Sequence, residues 1–243
     1  MRISRRAWLM GAGSLGIGAA GVKTLHSNGL VPPDATGIFA PERTLSYAAH
    51  RLLTPNSMAR EFPRSAISTP PFPNGKPAKE ALAPGAAATW RLEIGGLVGR
   101  PLSLSVADLK AMPRRSQITA LSCEEGWSYV AEWTGVPLAH VLKEAGMKPE
   151  ARYVAYFSPQ PRWWDSIDLN DASHPQTLIA YGMNGGDLPP GHGGPMRMRV
   201  PRQLGYKSIK FVTKITLVES VEGLGKGMGS YAAERGYSWF NGI

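Results

Sequence analysis

Residues 117–129 read QITALSCEEGWSY, and this stretch holds Cys123, the only cysteine in a chain of 243 residues. The run from Gln117 to Leu121 has the β-branched and apolar character of a buried strand. The pattern therefore predicts that Cys123 lies where a strand ends and a loop begins, a position at which functional sites are often built.

A lone cysteine allows two interpretations. It is often a small buried hydrophobic residue with no further function. It can also be a thiolate that binds a soft metal, in which case metal binding removes the thiol proton. One cysteine cannot hold a metal alone, and no pair of histidines has the spacing of a zinc site. A metal at Cys123 would therefore arrive with its own ligands, as part of an organic cofactor.

Charge and composition narrow the classes of function. The formal net charge is +9, and residues 1–23 contain four basic residues and no acid, which leaves +9 less 4, or +5, for the rest. The other basic residues are scattered and form no stripe, which argues against a nucleic-acid-binding protein. A mildly basic body fits an anionic cofactor or an acidic redox partner better. The 21 prolines and 28 glycines predict loops and short strands in preference to long helices.

The first residues indicate export. Arg5 and Arg6 precede a Gly/Ala-rich apolar run that extends to Val22 and is too short and too rich in glycine for a convincing transmembrane helix. We interpret residues 1–23 as a twin-arginine signal, which predicts a periplasmic protein, and residues 24–42 as a linker. The alternatives are a chance arginine pair in a cytoplasmic tail and an uncleaved membrane anchor. An unpaired cysteine in an exported chain indicates a reserved thiol.

Local patterns predict short strands and helices in the remaining chain. Alternation of apolar and charged residues predicts a half-buried strand at residues 90–94, and β-branched and aromatic residues predict another at residues 153–157. Ser105 begins a capping-box-like sequence, and Pro137 is a good first residue for a second short helix.

Two further segments have distinctive patterns. Prolines forbid regular structure in the second half of residues 43–78, so we expect this segment to be a long irregular arm that wraps the body. Along residues 196–200, apolar residues alternate with Arg197 and Arg199. This alternation predicts a strand that buries one face and presents both arginines on the other.

Several motifs in order resemble those of a known family. They are residues 122–128 (SCEEGWS), 133–138 (WTGVPL), 174–178 (HPQTL), 194–197 (GPMR) and 204–210 (LGYKSIK). Together they resemble the molybdopterin oxidoreductases of the sulfite-oxidase fold, most nearly the exported bacterial branch that includes periplasmic protein-methionine-sulfoxide reductases. The resemblance extends over residues 43–243, which we interpret as one molybdopterin-binding oxidoreductase domain.

The resemblance implies a fold and a cofactor. The fold is α+β and sulfite-oxidase-like, with mixed, mostly antiparallel sheets and short helices. The cofactor is molybdenum-molybdopterin, and Cys123 is the catalytic residue and the one protein ligand to the metal. No segment resembles the family's haem domain, so the expected electron partner is a separate haem-bearing or quinone-linked membrane protein.

The resemblance also assigns contacts to the cofactor. They are Arg60, Glu61, Cys123, Ser158, His192, Arg197, Ser208, Ile209 and Lys210. Cationic donors suit the oxygens of a pterin and of a phosphate. Simpler interpretations are a surface pair for Arg60 and Glu61, a plain loop residue for Ser158, a solvated loop histidine for His192 and a basic turn for residues 206–210.

The implied chemistry is oxygen-atom transfer with a two-electron change at the metal. Sulfite oxidases carry clustered arginines after the cysteine, whereas Glu124 and Glu125 follow it here. Two carboxylates repel a dianion such as sulfite, which favours a neutral S-oxide or N-oxide, on a small molecule or a peptide, and the reductase direction. A sulfite-type oxidase of the same fold and a cofactor-free exported binding protein are the alternatives. A copper-binding protein is disfavoured because the five histidines are widely spaced.

Overall fold

The computed structural model describes Leu25 and residues 29–243. These residues fall into two compact units, one that ends at Pro55 and one that spans Asn56–Ile243. The predicted export signal, residues 1–23, lies outside the described residues.

The described part of the first unit is built on helix α1, Ala40–Leu53, which follows a 3-10 turn at Gly37–Phe39. A proline stands in the first turn of α1, where its missing N–H costs no hydrogen bond. The helix therefore begins within residues 24–42, the segment interpreted as a linker. Several large apolar side chains are more than half exposed, namely Ile38, Phe39, Leu45, Leu52 and Leu53. Within the described residues, we find no helix with both the length and the apolar character that crossing a membrane requires.

The second unit contains the two sheets and the remaining helices. Its helices are α2 (Lys79–Leu82), α3 (Ala86–Thr89), α4 (Val106–Ala111), α5 (Leu138–Glu144), α6 (Leu169–Ala172) and α7 (Tyr231–Glu234). Its strands are β1 (Arg91–Gly96), β2 (Leu102–Ser105), β3 (Arg115–Ser122), β4 (Ser128–Pro137), β5 (Tyr153–Phe157), β6 (Trp164–Asp168), β7 (Leu178–Met183), β8 (Gly186–Asp187), β9 (Arg197–Arg199) and β10 (Lys214–Val218).

The first sheet has the strand order β2-β1-β10-β5-β6. The pair β1–β10 is parallel and the other pairs are antiparallel. Strand β1 shows the predicted alternation, because Leu92 and Ile94 are buried while Arg91 and Glu93 are exposed. Its apolar face joins a large core that also includes residues of helices α4 and α5.

The second sheet has the order β3-β4-β7-β8, with β9 also paired to β7, and all its pairs are antiparallel. The register of β4 on β7 shifts between Thr134 and Gly135. A Cβ atom at Gly135 would lie 2.2 Å from the carbonyl oxygen of Ile179, so only glycine allows the two strands to approach here. Mixed sheets with short helices confirm the predicted fold class.

Local signals in the sequence set several boundaries. The Ser105 side chain accepts from the backbone N–H of Asp108 and the Asp108 side chain accepts from the backbone N–H of Ser105, which completes the predicted capping box. Helix α5 begins at Leu138, one residue later than predicted, because Pro137 ends strand β4 and immediately precedes the helix. Strand β5 spans Tyr153–Phe157, the predicted residues.

The arginine face of β9 differs from the prediction. The strand lies where the alternation placed it, but Arg197 is 2% exposed and Arg199 is 0% exposed, so both faces are buried. The reason is that the segment 205–211 folds over the arginine face, where Ser208 accepts hydrogen bonds from both guanidinium groups.

The prediction of an irregular arm is wrong for residues 43–53, which belong to helix α1, but residues 56–78 are irregular apart from a 3-10 turn at Arg64–Ala66. This arm lies along the second sheet. The backbone N–H of Phe62 donates to Ile118 of β3 (2.9 Å), and that of Ser68 donates to Val130 of β4 (3.0 Å). The arm therefore pairs with β3 at residues 61–62 and contacts β4 at Ser68, and its residue Asn74 reaches Glu125 in the β3–β4 connection.

Candidate functional site

Cys123 is held at the start of the loop that joins β3 to β4. The last register pair of this hairpin is Ser122 with Ser128. The N–H of Cys123 donates to the carbonyl of Trp127 (2.9 Å), and the N–H of Gly126 donates to the carbonyl of Cys123 (3.1 Å). The prediction that Cys123 follows the end of a strand is confirmed, and its backbone is fixed on both sides of the side chain.

The Glu125 carboxylate lies beside the Cys123 thiol. Its Oε2 atom is 3.8 Å from Sγ, and the same oxygen accepts from Trp127 Nε1 (2.8 Å) and Asn74 Nδ2 (3.2 Å). Burial, together with the charges of Glu125 and Glu124, raises the pKa of the Cys123 thiol. A positive metal ion reverses this balance and favours the thiolate.

A cavity of about 610 Å³ opens at this thiol. Its walls come from the loop after β3, from arm residues 74–76, from Arg197 of β9, from the segment 205–211 and from the region of helix α7. The predicted residues that it brings together are Cys123, Arg197, Ser208, Ile209 and Lys210. Residues that are far apart in sequence thus form one site.

Arg197 is aimed into the site by backbone carbonyl groups. Its NH1 donates to the carbonyl of His192 (2.7 Å) and its NH2 to the carbonyl of Ser208 (2.5 Å). Its guanidinium carbon lies 5.2 Å from the ring centroid of Trp133. Burial lowers the pKa of Arg197, but an arginine stays charged in proteins.

Lys210 is the second cation of the cavity wall. Its Nζ donates to the carbonyl of Asn74 and, over 2.6 Å, to that of Gly191. Gly193, with φ +98°, lets the loop pass close by, because a Cβ atom there would lie 2.7 Å from Lys210 Cγ. Burial, with a contribution from Arg197, lowers the pKa of Lys210 to about 8.

The segment 205–211 also places Ser208 between the two arginines of β9. Ser208 Oγ accepts from the backbone N–H of Val200 (3.1 Å), and Arg199 NH1 lies 3.4 Å away. At Gly205, a Cβ atom would lie 2.8 Å from a methyl carbon of Leu121, so this segment packs directly against the end of β3.

The donors of the cavity fit an anion with a soft metal. Within the described part of the chain, neither the lining residues Arg197 and Lys210 nor Arg199, which lies behind the wall, forms an ion pair with a carboxylate. Buried charges without a partner are costly, so these cations call for an anionic ligand. Among the same residues, no group of three or more His, Cys, Asp or Glu side chains could hold a metal ion. A metal bound by Cys123 would take its other ligands from a cofactor, which agrees with molybdenum-molybdopterin.

Four predicted contacts do not line this cavity, namely Arg60, Glu61, Ser158 and His192. Arg60 is exposed and stacks over Phe62 (4.8 Å), while Glu61 pairs with Arg115 (3.2 Å) instead of with Arg60. Ser158 Oγ accepts from the N–H of Gln160 (3.3 Å), and Gln160 itself lines the cavity.

His192 lies just behind the cavity wall. It is buried, and its Nδ1 atom is 3.4 Å from the hydroxyl of Tyr129. Burial, and then the charges of Lys210 and Arg197, lowers the pKa of His192 to about 4, so the ring is neutral at pH 7. The interpretation as a solvated loop histidine is therefore wrong.

Several lining residues were missed from the sequence. Asn74 and Lys76 lie in the irregular arm, where no periodic pattern distinguishes one polar residue from another. Arg235 follows the short helix α7 and had no motif around it. Arg199, which is buried behind the wall and does not line the cavity, was not assigned to the site either, although alternation put it on the same face of the strand as Arg197.

Comparison with known proteins adds independent support. Residues 80–223 match the family described as oxidoreductase molybdopterin binding domain. A protein from Azospira oryzae, named as a protein-methionine-sulfoxide reductase subunit, is 33% identical over 242 residues, which cover 98% of this chain and 88% of that protein. A protein-methionine-sulfoxide reductase catalytic subunit from Xanthomonas axonopodis pv. citri is 38% identical over 147 residues, which cover 54% of this chain and 46% of that subunit.

A solved structure agrees with the fold. The sulfane dehydrogenase SoxCD from Paracoccus pantotrophus aligns with a TM-score of 0.52 and 27% identity, over 54% of this chain and 38% of that chain. The family match includes Cys123, Arg197 and Lys210, which are the thiol and two of the cations that line the cavity. The chain therefore belongs to the molybdopterin-binding oxidoreductases of the sulfite-oxidase fold, enzymes whose cofactor is molybdenum-molybdopterin.

Proposed function

We propose that this enzyme reduces a neutral S-oxide, or an N-oxide, by oxygen-atom transfer in the periplasm, with electrons from a separate redox protein. The observation that carries the proposal is the Glu125 carboxylate, whose Oε2 atom lies 3.8 Å from Cys123 Sγ. A negative charge here opposes the approach of a dianion such as sulfite, whereas a sulfoxide has no net charge to repel. Glu124 contributes only in part at neutral pH, because partial burial, Glu125 and Asp165 raise its pKa to about 7.

Aromatic side chains in the cavity suit the apolar part of such a substrate. Trp127, Trp163 and Tyr237 line it, and Trp163 is 52% exposed. Phe72 packs against Trp127 with a centroid distance of 5.3 Å and is itself 48% exposed. An open aromatic edge of this kind admits a sulfoxide attached to a peptide as well as a small molecule.

The cofactor supplies the oxygen-atom-transfer chemistry when it is bound, and the protein binds and orients it. Cys123 would give the thiolate ligand, while Arg197, Ser208, Ile209 and Lys210 would hold the pterin and its phosphate. Glu125 also has a structural role, because the hydrogen bonds that it accepts from Trp127 and Asn74 hold the cysteine loop against the arm.

The overall reaction requires a reductant. One sulfoxide takes up two electrons and two protons and yields one sulfide and one water. Relatives named as a subunit and as a catalytic subunit of protein-methionine-sulfoxide reductases support both the S-oxide substrate and a separate electron-supplying protein. A haem-bearing or quinone-linked membrane protein is the proposed donor, and the Arg5–Arg6 pair supports the periplasmic location.

Oxidation of an anionic sulfur compound is the second candidate. The observation in its favour is that Lys76 and Arg235 also line the cavity, where they would attract an anion. The similarity to a sulfane dehydrogenase also favours this candidate, because a dehydrogenase removes electrons from its substrate.

An assay in both directions tests the proposal. Holoprotein from a host that makes molybdopterin is given reduced viologen and methionine sulfoxide, and separately sulfite with ferricyanide. We expect dye oxidation that depends on the sulfoxide and little turnover of sulfite. Cofactor-free protein is the control. Sulfite turnover that exceeds sulfoxide reduction would favour the second candidate and overturn the first.

A further inference from the structure

Arg199 is a fully buried cation that stands behind the cavity wall without lining it. It is 0% exposed, and its guanidinium carbon lies 5.4 Å from the ring centroid of Trp133, the ring that Arg197 also approaches (5.2 Å). The two arginines alternate along β9, so they share one face of the strand. Two like charges are thus held side by side in the protein interior.

The surroundings of Arg199 supply dipoles but no negative charge. Its NH2 donates to Thr119 Oγ1 (3.1 Å) and to the carbonyl of Ala120, and Ser208 Oγ lies 3.4 Å from NH1. Its Nε has no hydrogen-bond partner among the described residues. Burial first, and then the charge of Arg197, lowers the pKa of Arg199 to about 9, so it remains cationic at pH 7.

Two other buried cations among the described residues are each paired with a carboxylate, which Arg199 is not. The buried Arg202 pairs with the Asp171 carboxylate (3.3 Å), and the buried Lys207 pairs with Asp165 (2.5 Å). A strand residue that only filled the core would be apolar, as Met198 is on the other face of β9. An unneutralised charge in the interior is costly unless a ligand brings the opposite charge.

We infer that Arg199 is a positioning residue for the anionic cofactor: its charge, beside that of Arg197, makes the cavity wall positive, and the bound cofactor relieves the repulsion between the two arginines. Cofactor binding is thereby coupled to the stability of the fold. The coupling acts through Arg197, which touches the cavity, and through Ser208, which both arginines contact. It does not depend on which oxide is the substrate.

The test compares cofactor-free protein, from a host that lacks molybdopterin synthesis, with holoprotein. For each variant we measure Tm in both forms and the pterin released from the holoprotein, by its fluorescence after oxidation. In Arg199→Met, which keeps the length of the side chain and removes its charge, we expect the rise in Tm on cofactor binding to fall to less than half. Retained pterin should fall as well. Arg199→Lys, which keeps the charge, should preserve most of both.

Arg202→Met is the matched control. It also removes a buried arginine, but one that a carboxylate neutralises, so the Tm values of both forms should fall by equal amounts. If Arg199→Met also lowers both by equal amounts and retains its pterin, Arg199 is a structural residue only and the inference is overturned. If Arg199→Met does not fold without cofactor, Arg199→Lys decides the matter: a full rise in Tm supports the inference, and its loss contradicts it.

Discussion

Lys207 Nζ lies 2.5 Å from Oδ1 of Asp165, and neither side chain is more than 1% exposed. The ammonium group also donates to the carbonyl of Ser166 (2.9 Å) and lies 4.8 Å from the ring centroid of Trp239. Lys207 therefore points away from the cavity, while its neighbour Ser208 lines it. The ion pair anchors the segment 205–211 to β6 from behind.

Breaking this pair should destabilise the protein strongly. Lys207→Met leaves the Asp165 carboxylate buried without its partner, which costs about 3–5 kcal/mol in such cases. Urea unfolding of the cofactor-free protein measures the loss. The double variant Lys207→Met with Asp165→Leu removes both charges and should recover most of it. If the single and double variants lose equal amounts of unfolding free energy, the ion pair has no role in stability.

Cys123→Ser separates a metal ligand from a packed residue. A serine hydroxyl is harder and ionises far less readily than a thiol, so donation to the metal falls. We expect a folded protein that retains its pterin, has no oxygen-atom-transfer activity, and gives a changed or absent molybdenum(V) electron paramagnetic resonance signal. An active variant with an unchanged signal would show that Cys123 is not a ligand.

Arg197→Ala and Lys210→Ala should each lower cofactor retention without unfolding the protein. Each removes charge-assisted hydrogen bonds worth about 1.5–3 kcal/mol, which corresponds to about 10- to 150-fold in affinity. Pterin and molybdenum content of the purified protein are the measurements. Lys110→Ala, which removes an exposed lysine paired with Asp187, is the control and should retain full occupancy. Full occupancy in both site variants would refute the assignment.

Two buried histidines predict a loss of stability in acid. Burial, with the charge of Arg202 near His174 and of Lys210 near His192, lowers the pKa of each to about 4. The unfolded chain takes up these protons near pH 6.5, whereas the folded protein does not. Stability is therefore complete above pH 6.5 and falls towards pH 4. Urea midpoints of cofactor-free protein at pH 7.5 and 5 should differ less in a His174→Gln, His192→Gln variant; an unchanged difference would contradict the prediction.

The arginine pair near the start of the chain predicts the export route. Replacing Arg5 and Arg6 by lysine should leave the folded enzyme in the cytoplasm, because the twin-arginine route reads this pair. Cell fractionation with detection of the protein in each compartment measures the outcome. Export of the double variant through the same route would show that residues 1–23 act in another way.

Patterns in the sequence predicted the parts of the fold that depend on neighbours along the chain. Strand β5 has the predicted bounds because its aromatic and β-branched residues suit a buried strand whichever elements lie beside it. The Ser105 capping box and Pro137 mark helix starts through local backbone chemistry.

The remaining features depend on contacts that are remote in sequence. Alternation shows that Arg199 faces away from Met198, but it cannot show that the segment 205–211 covers that face. Asn74 joins the site only because the arm brings it to Glu125, 51 residues later. Irregular segments carry no period, so their contribution to a site becomes visible only in three dimensions.

The course of the arm has a consequence for how molecules of this protein meet one another. Strand β3 is the last strand of its sheet, and an uncovered last strand offers its N–H and C=O groups to any other chain. Residues 61–62 occupy part of that row, through the bridge of Glu61 to Thr119 and the bond of Phe62 to Ile118. An arm rich in proline cannot itself extend the ladder. At residues 118–119 the arm thus prevents a second chain from pairing with the edge of β3, in addition to supplying a wall of the cavity.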